Sequence, residues 1–248
     1  MQPDSTVGAL LRSEGRQATY HYEGAEGAER LVRTDSRQST GVLHYEGEKD
    51  AERFVRHDLP SGTVMHFEGE MGAERTVRVE QPCGEVTHYE GEKGMERKVR
   101  VDLPSGQVNH YEGKKYVERL VRVEGPSLSG AFVCHFQGEK NMERKVRVDL
   151  QDHVYHYEGE INMERLVRVD LHDRVLHYEG ETNMERLVRI DHDDGDVFHF
   201  EGVERLVRVV RPSWSRRLAR MSAAACGRVS RRAGAAAVPL RLARSRLS

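Results

Sequence analysis

The feature that most constrains this chain is a short motif that recurs nine times. It runs His, an aromatic ring, Glu or Gln, then Gly, and begins at His21, His44, His66, His88, His110, His135, His156, His177 and His199. A Glu-Arg pair follows every copy, from Glu29-Arg30 to Glu204-Arg205, and successive histidines lie 21 to 25 residues apart. Such self-similarity is the mark of a repeat array, in which each unit packs on its neighbours and no larger central core is required. The length of 248 residues therefore sets the number of units, where in an ordinary chain it would set the number of globular domains.

Within one copy the residue pattern alternates as strands do. In VTHYEGEKGMERKVRVDLPSGQ, residues 86–107, Val86, His88 and Glu90 share one face of a first segment, and Thr87 and Tyr89 share the other. A second segment runs from Arg97 to Asp102. Glu92-Lys93-Gly94-Met95 reads as the turn between them, with Gly94 free to take positive φ, and Leu103-Pro104-Ser105-Gly106 reads as the turn to the next copy. Length variation collects near that second turn, as a loop permits and a strand resists: 125–130 is an insertion and 151–153 a contraction. With regular alternation, the expected register sets Glu90 opposite Arg97, His88 opposite Val99, Val99 opposite Glu112 and Val101 opposite His110. That register gives a Val/Leu/His face with Glu–Arg pairs, and a second face of Tyr or Phe with Arg and Asp.

Tyr-Glu-Gly-Glu-Lys-Gly followed by Leu-Pro-Ser-Gly-Gln-Val resembles the membrane occupation and recognition nexus (MORN) repeat, whose hairpin units open with Tyr-x-Gly and close near an Asn-Gly or Ser-Gly turn. The resemblance covers about residues 19–210. The Trp common after the motif Gly in that family is absent here, and Arg-x-Val-Arg stands where the family has Gly-x-Gly. The resemblance implies an elongated single-layer sheet. The expected fold is thus all-β: an antiparallel β-meander of about nine tandem hairpins and eighteen strands over 19–210. A flexible lead-in precedes it (1–18), and a basic tail that is disordered or partly helical follows it (211–248).

Charge divides the chain sharply. Ten of its 39 basic residues lie beyond Val210 with no acid among them, which leaves 29 against 41 acids, a net of -12, for residues 1–210. Trp214, Leu218 and Met221 fall at helical spacing with arginines between. Arg216, Arg217, Arg220, Arg231, Arg232 and Trp214 are therefore the candidate contacts to an anionic lipid surface or nucleic acid. Cys83, Cys134 and Cys226 are too few and too irregular for a disulfide framework or a Cys-based zinc site, which fits a reducing, cytoplasmic setting. The N-terminal residues show no secretory pattern, and no run approaches the ~20 apolar residues that span a bilayer.

Two features invite a chemical reading. Nine histidines in register suggest metal binding, but equivalent positions in successive hairpins lie about 10 Å apart, too far to share one ion. The Glu90–Arg97 type of pair resembles an acid–base couple, yet its recurrence favours cross-strand stabilisation, since a catalytic site is needed once. The sequence expectation is accordingly a non-enzymatic scaffold without catalytic residues, metal or cofactor, built to contact a protein partner or its own copies through the sheet ends. The alternative is a peripheral binder of anionic membranes or other polyanions acting through the tail.

Overall fold

The computed structural model describes residues 11–14, 18–36, 41–127, 130–202 and 205–211, which contain strands and turns and no helix. The His-aromatic segments form β2 (Ala18–Glu23), β4 (Val42–Glu46), β6 (Val64–Glu68), β8 (Val86–Glu90), β10 (Val108–Glu112), β12 (Gly130–Gln137), β14 (Val154–Glu158), β16 (Arg174–Glu179) and β18 (Val197–Glu201). The Arg-Val segments form β3 (Arg30–Ser36), β5 (Arg53–Asp58), β7 (Arg75–Glu80), β9 (Arg97–Asp102), β11 (Arg119–Ser127), β13 (Arg144–Asp149), β15 (Arg165–Asp170), β17 (Arg186–His192) and β19 (Arg205–Val210). A further strand, β1 (Leu11–Glu14), pairs with β2 inside the stretch expected to be a flexible lead-in; its Leu-Arg-Ser-Glu repeats the second-strand pattern, with Arg12 opposite His21 as Arg168 is opposite His177. Every strand pairs antiparallel with its neighbours in sequence, and β1 and β19 do not meet. The result is one open meander, about 85 Å across its strands at ~4.8 Å per strand.

The register departs from the expected one at a single recurring point. Glu90 does face Arg97, and Tyr89 faces Lys98, but His88 faces Arg100 because Val99 is the extra residue of a β-bulge. The same shift falls between the His and the aromatic residue in all nine hairpins. A bulge reverses the alternation of everything beyond it. Arg100 and Asp102 thereby join the His face, while Val101 moves to the Tyr face, opposite Thr87 on one side and Asn109 on the other. The insertion at 125–130 also differs from expectation: most of it lengthens two strands, with Gly125 opposite Phe132 and Ser127 opposite Gly130.

Turn chemistry explains the motif glycines. Gly91 has φ 119°, and a Cβ there would sit 2.6 Å from the Met95 carbonyl oxygen, so only glycine fits. Met95 N–H donates to the Glu92 carbonyl, closing the turn around Gly94 at φ 78°. Asp50, Asn141, Asn162 and Asn183 take the Gly94 position elsewhere, as residues tolerant of positive φ; Tyr116 holds φ 70° there at a cost of about 1–3 kcal/mol.

Successive hairpins share few backbone bonds. β5 and β6, for example, are paired only at Arg56–His66, His57–Met65 and Asp58–Val64. Toward the first turns, side chains take over. In the second to eighth copies the Glu of Glu-Arg reaches back to the preceding hairpin, where Glu52 accepts the Leu31 N–H at 2.9 Å and Glu143 the Leu120 N–H at 3.0 Å. The Arg reaches forward to the next motif Gly: Arg30 donates to the Gly47 carbonyl at 2.9 Å and Arg144 to that of Gly159 at 2.8 Å. Lys93 donates back to the Gly72 carbonyl at 2.8 Å. The Leu31 amide, the largest influence on Glu52, holds its carboxyl below the ordinary range.

Among the described residues no side chain is fully enclosed, and the apolar residues that count as buried are Val101 and Val169. The Tyr face packs within its own layer, with Phe54 edge-on to Phe67 at 4.6 Å and Lys98 lying 3.8 Å over the Tyr111 ring. Thr34 occupies the position of Val101, and its buried Oγ1 has no hydrogen-bond partner. Thr34→Val should therefore raise the unfolding free energy by about 1 kcal/mol, read from the urea midpoint; a loss of stability would show that the hydroxyl is satisfied in solution.

Candidate interaction face

The bulge assembles a side-chain cluster that recurs through the array. Because Arg100 lies opposite both His88 and His110, the His face carries a row in which histidine and arginine alternate from strand to strand, from His21 to Arg208. An adjacent row supplies a carboxylate two residues after the arginine in the first eight copies: Asp35, Asp58, Glu80, Asp102, Glu124, Asp149, Asp170 and Asp191. Each carboxylate bridges its own Arg and the His of the same hairpin. His88 Nε2 lies 3.1 Å from one Asp102 oxygen, and Arg100 Nε donates to the other at 2.5 Å. His66–Glu80 at 2.8 Å, His110–Glu124 at 3.0 Å and His156–Asp170 at 3.1 Å repeat the contact.

Burial alone would push the Asp102 carboxyl up, but hydrogen bonds from Arg100 and His88 outweigh it and hold the group below the ordinary range. Asp35, Asp58, Asp149, Asp170 and Asp191 show the same balance. Neighbouring units are linked as well, since Arg100 is raised first by Asp102 and also by Glu124 of the next hairpin. In the first eight copies the cluster is a charge ladder, with each Arg matched to a carboxylate. Each histidine of those copies meets one carboxylate, and among the described residues no three His, Cys, Asp or Glu side chains converge as a metal site would require.

The ninth copy breaks the ladder. Val210 stands where the carboxylate belongs, and β18 and β19 set Val197 opposite Val210. A shallow cavity of about 400 Å³ opens beside it, lined by Glu179, Arg186, Arg189, His199, Glu201 and Val207 among others. Each of these residues has a counterpart in the other copies, so the cavity gathers no chemistry peculiar to itself.

A second recurring surface lies on the first-turn edge. The residue before each Glu-Arg is Ala28, Ala51 and Ala73 in the first three copies, then Met95, Val117, Met142, Met163 and Met184, and these last five are exposed by more than half. Neither the His–acid–Arg bridge nor this edge was visible in strand alternation. The recurrence of an acid two residues after Arg in eight copies is the one sequence signal by which the first could have been found. Cys134 is half-buried, and burial pushes its thiol up, as suits a packing residue. Arg216, Arg217, Arg220, Arg231, Arg232 and Trp214 lie outside the described residues. No helix among the described residues is long and apolar enough to cross a membrane. No protein-family model matches the chain, and no curated protein sequence matches it.

Because the carboxyls of Asp35, Asp58, Asp102, Asp149, Asp170 and Asp191 are lowered in the folded state, the unfolded chain binds more protons in acid. Their contribution is full above about pH 5 and is lost as pH falls through their depressed values, below the ordinary ~3.9. Asp102→Asn should cost about 1 kcal/mol at pH 7 and flatten the acid limb of a stability-against-pH curve measured by urea unfolding. An unchanged acid limb would remove the ladder's stabilising role.

Proposed function

We propose that the array is a non-enzymatic scaffold that holds a protein partner by multivalent contact along its first-turn edge. The observation that carries this reading is the exposed row Met95, Val117, Met142, Met163 and Met184, one residue per hairpin at a spacing of ~9.6 Å, two strand widths. Methionine side chains are unbranched and polarizable, which suits them to adaptable binding surfaces. Contacts repeated on one stiff array add in affinity as linked sites do, so several weak ones suffice. Recurrence of the Glu–Arg and His–Arg–acid contacts from copy to copy favours structural roles for them over catalysis. The resemblance to MORN repeats agrees with a scaffold of stacked hairpins.

The first three copies supply the natural control, since they carry alanine at this position. Replacing Met95, Met142, Met163 and Met184 by alanine together should leave the strand signal intact. Affinity capture with quantitative mass spectrometry should then lose the proteins held by the wild-type chain. An identical captured set at equal yield would contradict the edge as the binding surface.

A second reading rests on the segregation of charge, +10 beyond Val210 against -12 before it. In that reading the C-terminal stretch adds attraction to anionic lipid headgroups. The comparison is binding of residues 1–210 and of the full chain to phosphatidylserine-containing vesicles; equal binding would remove the tail's part.

A further inference from the structure

The C-terminal edge of the sheet differs from every inner strand. β19 pairs with β18 and, among the described residues, with nothing on its other side. All six of its residues are exposed, whereas the equivalent strand β15 is half-buried or buried at five of six positions. Its sequence is Arg-Leu-Val-Arg-Val-Val, the β15 sequence with the final acid exchanged for Val210. Edge strands are ordinarily blunted by charge, proline or cover. This one exchanges the carboxylate its position carries in eight other copies for an apolar side chain.

We propose that β19 is a self-pairing edge, at which two copies of the chain join antiparallel about a two-fold axis into one continuous sheet. The register follows from the bulge. It places Arg205, Arg208 and Val210 on the His face and Leu206 and Val209 on the Tyr face, with Val207 as the extra residue. A two-fold between Val207 and Arg208 sets Leu206 opposite the partner's Val209, both on the Tyr face, and Arg205 opposite the partner's Val210, both on the His face. Moving the pairing by one residue in either direction sets His-face side chains against Tyr-face ones. Moving it by two leaves Arg205 opposite the partner's Arg208 or again mismatches the faces. Only one full-length register keeps like faces together and arginines apart.

Strand number also favours the two-fold over end-to-end stacking. With nineteen strands in strict antiparallel order among the described residues, β1 and β19 run the same way. A head-to-tail copy would therefore meet β19 in parallel pairing and extend without limit, whereas the two-fold closes after two chains. This inference rests on the scaffold reading. Even so, a monomeric chain would leave the methionine-edge experiment unaffected, so the two fail separately.

The test is light scattering of the purified full chain over a concentration series, with two substitutions at one position. The wild-type mass should rise from 28.4 kDa toward twice that value. Val210→Asp, which restores the carboxylate of the other copies, sets opposite charges at Arg205 and the partner's residue 210. It should lower the dimer dissociation constant about 2- to 10-fold. Val210→Lys sets like charges there and should raise it by a similar factor, with circular dichroism unchanged in both variants. A mass fixed at 28.4 kDa, or Asp and Lys shifting the constant in the same direction or not at all, would overturn the proposal.

Discussion

A carboxylate that accepts a backbone N–H from the preceding hairpin is the contact on which the rest of this structure depends. Two neighbouring hairpins share as few as three backbone rungs, and beyond those rungs the chains part toward their first turns. The Glu of Glu-Arg fills that gap from one side in the second to eighth copies, and the Arg of the first seven fills it from the other through the motif Gly carbonyl. A half-buried amide left without an acceptor costs about 1–3 kcal/mol, so these contacts hold units together where the sheet ladder cannot. The thinness of the fold follows. Among the described residues there is no second layer and no fully enclosed side chain, so the rigidity of the sheet comes from neighbours within it.

The second constraint is the bulge. One extra residue per hairpin turns Arg100 and Asp102 to the face of His88 and creates the ladder of bridged charges. Without it, His88 would face Val99 and the acid would project from the opposite surface. In eight copies each ladder arginine is matched by a carboxylate, and only the ninth, with Val210 after Arg208, departs from that balance. The distinctive surfaces are then the methionine edge and the terminal strand.

Much of this was legible in the sequence. Nine copies, two strands in each, positive φ at Gly94 and the Glu90–Arg97 pair all follow from spacing and turn chemistry. The bulge was not, because alternation read from Arg97 to Asp102 looks unbroken when every second residue is charged or apolar in turn. Residues 125–130 read as a loop through Gly and Pro, yet Pro126 pairs across to Ala131 within a lengthened hairpin. The reach of Glu52 and Arg30 into adjacent copies was hidden for a different reason: side chains that bond to backbone leave no complementary residue to find. Strand β1 was legible only by aligning Arg12 and Glu14 with the Arg-x-acid of the later second strands, since no His-aromatic segment precedes it.

The central claim is that each hairpin is held by its neighbours and by nothing further away. Deleting residues 86–107 tests it most directly, since this splices Glu85 onto Val108 at the same place in the following copy. Urea unfolding of the shortened chain should show a folded, strand-rich protein whose m-value is lower by roughly one ninth, the surface of one unit. Loss of the folded state, or an m-value and stability that do not move, would contradict the account.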